Sequence, residues 1–165
     1  MAMSSEKIVY DGFVKVKTYR YNKKTYEKVD LNSAVSALVV NEDGKMLLVM
    51  QYRPCIEGLT YEIPAGIIDK QLPDDKIMIE ELKEECNIPE FDIKDIREVA
   101  KYFINVGNSD STMTIYKILV TSKSTDTMIE GDEVTKAEWK SKKEVESMSF
   151  VDPKTIIAKT IFLGE

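Results

Sequence analysis

Apolar and polar positions along the chain follow two rhythms. From Phe13 to Tyr21 (FVKVKTYRY) they alternate with the period of two that marks a half-buried strand. Asn22 to Lys24 interrupt the pattern and Thr25 to Val29 (TYEKV) resume it, which predicts a hairpin. Ser33 to Val40 (SAVSALVV) and Met46 to Arg53 (MLLVMQYR) predict a second, more buried hairpin turning at Asp43-Gly44. Thr60 to Gly66 (TYEIPAG) reads as a short strand ended by Pro64 and Gly66. Ile96 to Asn105, Thr112 to Thr121 and Val134 to Lys140 supply three more strands.

Between these strands the period changes to that of a helix. On a helical wheel Met78, Ile79, Leu82 and Cys86 share one arc, and Glu80, Glu81, Glu84 and Glu85 share the opposite one. Pro73 or Asp74 opens this helix, with Asp74 and Asp75 at the positive end of its dipole, and Asn87 can close it in the left-handed conformation. Ser141 to Met148 predicts a short helix. Asp152 to Gly164 predicts a last one, with Asp152 as N-cap, Pro153 at the first position and Gly164 past the end. The chain has 165 residues, no repeat, no low-complexity stretch and no linker. One α/β or α+β sandwich domain is expected.

Composition narrows the chemistry. An apolar fraction of 43% excludes general disorder, and a net charge of −6 argues against nucleic acid or an anionic membrane as the main partner. Histidine is absent, which excludes Ser-His-Asp and Cys-His catalysis and histidine-ligated zinc. Two cysteines, Cys55 and Cys86, are too few for a disulfide framework and are expected to be reduced. With no signal peptide or membrane-length apolar run in view, a cytoplasmic protein is expected.

The four glutamates need an explanation. Glu80/Glu84 and Glu81/Glu85 are like-charged pairs one turn apart, and each works against the helix by about 0.2–0.5 kcal/mol. A solvated acidic face is one reading. The other is a site for Mg²⁺ or Mn²⁺, hard cations that take oxygen ligands and turn the repulsion into attraction. A cation there would also bridge an acidic protein to an acidic phosphate.

The frame around the helix bears on the choice. Gly66, five residues, Leu72, seven residues, then EELKEECNI resembles the signature box of the Nudix hydrolases. Gly66, Glu81, Leu82, Glu84, Glu85 and Ile88 match it. Leu72 stands for a glutamate of the pattern, Glu80 for an arginine and Asn87 for a glycine. The flanks, LLVMQYRPCIEGLTYEIPAGIID (Leu47 to Asp69) and EGDEVTKAEW (Glu130 to Trp139), resemble the ADP-ribose pyrophosphatase branch. So does NVGNSDSTMTIY (Asn105 to Tyr116), with Val106 where the branch has proline.

The resemblance implies a Nudix α/β/α sandwich with a mixed sheet over residues 33–165, preceded by an antiparallel hairpin over 1–32 that makes a homodimer. It implies an Mg²⁺- or Mn²⁺-dependent pyrophosphatase that cleaves ADP-ribose or a similar nucleoside diphosphate sugar to AMP and a sugar phosphate. The Ala65 carbonyl, Glu81 and Glu85 become metal ligands. Glu84 becomes a supporting or water-orienting carboxylate, and Glu133 the distal acid that closes the metal site. Arg53 suits a phosphate oxygen pair. Glu62 lies where the branch keeps a glutamate near the substrate, and it could also pair with Arg53. Phe13 and Tyr26 fall where aromatics sandwich an adenine across two subunits. The departures at Leu72, Glu80 and Asn87 keep open a nucleotide-sugar-binding protein with weak or lost catalysis.

Overall fold

The computed structural model describes residues 6–121 and 134–165. Two sheets organise them. The first is antiparallel and three-stranded, in the order β1 (Lys7–Asp11), β2 (Lys15–Tyr21), β3 (Lys24–Asp30). The β2–β3 hairpin matches the expectation. Its turn residues Asn22 and Lys23 both have positive φ, 49° and 66°, as a two-residue turn that follows the strand twist requires. Strand β1 lies ahead of the predicted hairpin, and Phe13 belongs to the β1–β2 connection rather than to a strand.

The second sheet has seven strands and mixed polarity. Its backbone order is β10 (Val134–Lys140), β5 (Met46–Arg53), β4 (Ala34–Asn41), β9 (Thr112–Val120), β8 (Ile93–Phe103). Strands β4 and β9 run parallel from Ala34 opposite Met113 to Asn41 opposite Val120. The predicted β4–β5 hairpin exists, with Gly44 at φ 70°, but the two strands pair only at Val40 and Met46. Beyond that point the sheet splits. Strand β6 (Gly58–Glu62) pairs with β5, and β7 (Ala65–Ile67) pairs with the other end of β4. The stretch expected as one strand from Thr60 to Gly66 is therefore two. Pro64 has no N–H for a ladder, and its carbonyl accepts from the Ala37 N–H at 3.0 Å.

Alternation along the central strands places one core on each face of the large sheet. Val35, Ala37, Val39, Leu47, Val49, Ile118 and Val120 pack with Ile77, Met78, Leu82 and Cys86 of α1 (Asp74–Cys86). Leu38, Val40, Met46, Leu48 and Ile115 pack with Val145 of α2 (Lys142–Ser147) and with Ala158 and Phe162 of α3 (Pro153–Gly164). The result is the expected α/β/α sandwich. Among the described residues no helix is long and apolar enough to cross a membrane.

The helix ends obey their local chemistry. Asn87 closes α1 at φ 54°, a left-handed position that asparagine tolerates nearly as well as glycine, so its departure from the box pattern leaves the helix end intact. Ser141 and Glu144 form a reciprocal capping box on α2. Asp152 caps α3 by accepting from the Thr155 N–H at 3.0 Å.

Candidate functional site

The gap between β4 and β5 opens onto a cavity of about 500 Å³. One wall is α1, which supplies Glu81, Glu84 and Glu85. The floor is Ala65, Gly66 and Ile67 of β7. Arg53 at the end of β5 and Lys154 from the first turn of α3 make the cationic side, and Gln51 of β5 lies between it and Glu85. Asp69 and Lys70 of the loop before α1 close the rim.

The carboxylate wall follows from the register of α1. Burying Met78, Leu82 and Cys86 turns Glu81, Glu84 and Glu85 toward the gap. Glu85 is held: its Oε1 accepts from Gln51 Nε2 and its Oε2 from the Ala65 N–H, both at 3.4 Å. Among the described residues Glu81 and Glu84 make no hydrogen bond or ion pair. Burial pushes the Glu81 carboxyl above its ordinary range. The negative charges of Glu84, Asp69 and Glu80 push the same way, and Lys70 opposes them. Glu81 lies directly across Gly66, where an added Cβ would stand 2.2 Å from Glu81 Cδ. A side chain at this position would displace the Glu81 carboxylate, so the glycine leaves that group its place; the backbone angle does not require it.

Glu80, the fourth glutamate of the arc, does not line the cavity. It pairs with Lys70 at 2.7 Å. Leu72, where the box pattern has a glutamate, is 42% exposed and does not anchor the loop by apolar packing. Ile68, packed on the core beside α1 and donating its N–H to the Ser33 carbonyl at 2.8 Å, anchors the loop, and the exposed Lys70–Glu80 pair adds to it.

The cationic side is organised by Glu62, which is 3% exposed and lies behind the cavity rather than on its lining. Arg53 donates to it twice, from Nε to Oε1 at 2.7 Å and from Nη2 to Oε2 at 2.6 Å. Lys154 Nζ donates to Oε2 at 2.5 Å and Thr60 Oγ1 to Oε1 at 2.6 Å. Burial alone would raise this carboxyl. Arg53, Lys154 and Thr60 outweigh it and bring the pKa down to about 2.

Of the residues expected from the sequence, the structure brings together Ala65, Glu81, Glu84, Glu85 and Arg53, with Glu62 immediately behind. Glu133 lies outside the described residues. Phe13 and Tyr26 are not at the cavity: Phe13 is 94% exposed, and Tyr26 stacks on Tyr19 with ring centroids 5.6 Å apart. Lys70, one of two lysines (with Lys83) that the sequence offers in place of the box arginine, lines the cavity, whereas Gln51, Asp69 and Lys154 are not marked by any pattern of their own. Gln51 sits inside the QYRP stretch already compared with the branch. Lys154 lies 92 residues after Glu62, and nothing local in its sequence points to the cavity.

The sequence profile of the NUDIX domain matches residues 30–159. The chain belongs to the Nudix family. A curated relative, the ADP-ribose pyrophosphatase of Bacillus subtilis (strain 168), is 28% identical over 83 residues, which is 50% of this chain and 43% of that protein. The match therefore spans less than half of the relative's length.

Nudix enzymes generally use divalent metal ions, and the donor set here suits a hard cation: three carboxylates, one of them half-buried without a partner among the described residues. Among those residues no three His, Cys, Asp or Glu groups stand close enough to hold one ion as they are placed.

Two outcomes follow from the charges. Glu62 is ionised more easily folded than unfolded, so its contribution is complete above pH 4.5 and fades as pH falls toward 2. The gap from its ordinary value corresponds to about 3 kcal/mol. Glu62→Gln should lower the urea midpoint at pH 7 and lose most of its difference from the parent near pH 2.5, read by equilibrium unfolding at each pH. Glu81 has the opposite sign. Its raised pKa means that its ionisation works against the fold above the ordinary carboxyl pKa, with the full effect once pH exceeds the folded value. In EDTA at pH 7, Glu81→Gln should melt at a higher temperature than the parent, and the two should converge below pH 4.

Proposed function

We propose that the protein is a divalent-metal-dependent pyrophosphatase that hydrolyses ADP-ribose or a similar nucleoside diphosphate sugar to AMP and a sugar phosphate. Family membership and the likeness to an ADP-ribose pyrophosphatase support a Nudix pyrophosphatase. The observation that carries the finer reading is one cavity with a carboxylate wall facing a cationic wall, sized for a nucleotide-derived substrate.

A bound Mg²⁺ or Mn²⁺ would polarise phosphate oxygens and make water a better nucleophile. Glu81 and Glu85 would hold it, with the Ala65 carbonyl. Glu84, at the exposed edge of the acidic wall, would orient the attacking water. Glu133 would close the site. Arg53, fixed in a planar fork by Glu62, would grip a phosphate oxygen and offset the charge that grows there as the bridging P–O bond breaks. In this reading Glu62 orients Arg53 from behind rather than touching substrate.

Two expectations about assembly belong to the same reading. The three-stranded sheet exposes Ile8, Val9, Tyr10 and Phe13, apolar surface that suits a homodimer, with residues 1–32 as the dimerising unit and 33–165 as the catalytic domain. Phe13 and Tyr26 would then contribute to an adenine clamp built across the two subunits. Two free cysteines, one exposed and one buried, suit a cytoplasmic location.

The test is hydrolysis of a panel of nucleoside diphosphate sugars with Mg²⁺, Mn²⁺ or EDTA, on the parent and on Gly66→Ala. The parent should release AMP from ADP-ribose only with metal. Gly66→Ala should fold but push Glu81 aside, with activity reduced on the order of 100-fold because a metal-holding group is misplaced. Metal-dependent binding of ADP-ribose with no turnover would instead favour the binding-protein reading. Light scattering at micromolar concentration should give about twice the 18.8 kDa chain mass, and a monomer would remove the clamp.

A further inference from the structure

Lys154 is in an expensive place. It is 6% exposed, and it sits in the first turn of α3, where the helix dipole disfavours a cation. Its ammonium donates to Glu62 Oε2 at 2.5 Å and lies 3.1 Å from Asp152 Oδ2. A simple tie between β6 and α3 does not need it: the Ile63 N–H already donates to Thr155 Oγ1 at 2.9 Å. Buried ion pairs are weak stabilisers compared with apolar packing of the same volume.

The layout of charge points elsewhere. Arg53, Lys154, Glu62 and Asp152 sum to zero, but they are not mixed evenly. Arg53 and Lys154 line the cavity, and neither Glu62 nor Asp152 does. The carboxylates sit behind and the cations in front. Arg53 alone, matched twice by Glu62, would present a nearly neutralised pair to a ligand. Lys154 restores positive charge to that wall, and Asp152 is itself satisfied by the Thr155 N–H and hydroxyl at the positive end of α3. An ammonium has three hydrogens, and the two carboxylates account for two of them.

We infer that Lys154 and Arg53, fixed together by Glu62, form one anion subsite on the wall opposite Glu81, Glu84 and Glu85, and that Lys154 contacts a phosphate oxygen of the substrate. This rests on the diphosphate reading above. A diphosphate would then span the cavity, with one phosphate toward the carboxylate wall and the other against the Arg53–Lys154 pair. Lysine serves here as a compact point charge, and arginine as the planar fork.

The experiment compares the parent chain with Lys154→Met, Lys154→Arg and the double variant Lys154→Met/Asp152→Asn, which removes the buried cation together with its part-buried counter-charge and guards against a single variant that fails to fold. Circular dichroism and melting establish folding. With ADP-ribose and Mg²⁺, Lys154→Met should raise KM about 10- to 100-fold, as expected for loss of a hydrogen bond to a charged group, with kcat within about 3-fold. Lys154→Arg should recover most of the loss. Inorganic pyrophosphate, titrated by calorimetry in EDTA, should bind the parent and weaken by a similar factor in Lys154→Met and in the double variant. Unchanged KM and pyrophosphate affinity, with only the melting temperature lowered, would reduce Lys154 to a structural tie and overturn the inference, as would a parent that binds no pyrophosphate. A parent that hydrolyses nothing but loses pyrophosphate affinity in Lys154→Met would leave the subsite standing and remove the hydrolase reading.

Discussion

A carboxylate withdrawn from water must find partners or lose its charge, and Glu62 meets that constraint by joining three parts of the chain. Arg53 comes from the end of β5, Thr60 from Glu62's own strand and Lys154 from α3. The links continue beyond the carboxylate. Asp152 faces Lys154, accepts from Thr155 Oγ1, and Thr155 Oγ1 accepts from the Ile63 N–H. The path returns to the residue after Glu62, so the polar groups close a ring between β6 and α3. Each member satisfies its neighbour, which is the condition under which a buried polar network is tolerated. The C-terminal helix is thereby fixed to the wall of a cavity whose other wall is made by α1, on the opposite side of the sheet.

That cavity exists because the central sheet is incomplete. Strands β4 and β5 meet at Val40 and Met46 and then diverge, and the gap is shared by β6 on one strand and β7 on the other. The break at Ile63-Pro64 lets one segment serve both. Before it, Glu62 organises the cationic side. After it, the Ala65 N–H holds Glu85 and Gly66 clears space for Glu81. Five consecutive residues therefore address both walls, which gives a physical reason for the EIPAG stretch to combine a buried acid, a strand breaker and a residue without a Cβ.

Elements with a strong period were legible before any coordinates. The amphipathic helix, its Asn87 terminus, the Asp152 cap and most strands lie within a few residues of their expected bounds, because each is specified by neighbours in sequence. The acidic wall was legible for the same reason: helical spacing puts Glu81, Glu84 and Glu85 on one face. The cationic wall was only half visible. Arg53 stands out among lysines, but Lys154 reaches Glu62 across 92 residues, and its own surroundings read as an ordinary helix start. The split sheet was missed because an apolar run shows that a strand is buried, not which strand lies beside it. Strand β1 was missed because its five residues carry no clear alternation with a buried face; every one of them is exposed.

The departure at Glu80 is resolved by geometry that spacing could not supply. The pattern that the chain resembles has an arginine at this position, a cation beside the glutamates. Here the cation comes from the loop: Lys70 meets Glu80 at 2.7 Å and also lines the cavity. Glu80 turns to this pair and not to the cavity, so the helix presents three carboxylates there rather than four, while Glu80 still adds to the upward push on Glu81. Lys70 acts on Glu81 as well, opposing the upward push from burial and from Glu84. Position 70 thus offsets part of the negative charge that position 80 adds beside Glu81, whose carboxyl stays above its ordinary range. An arginine on the helix would travel with the glutamates it steadies. A lysine on the loop couples them to the segment between Gly66 and α1, which is also anchored by Ile68, packed against the core beneath α1 and bonded through its N–H to the Ser33 carbonyl. Exposed pairs of this kind are weak, about 0–1 kcal/mol. The arrangement gives Glu81 electrostatic relief without the rigid fork of a guanidinium.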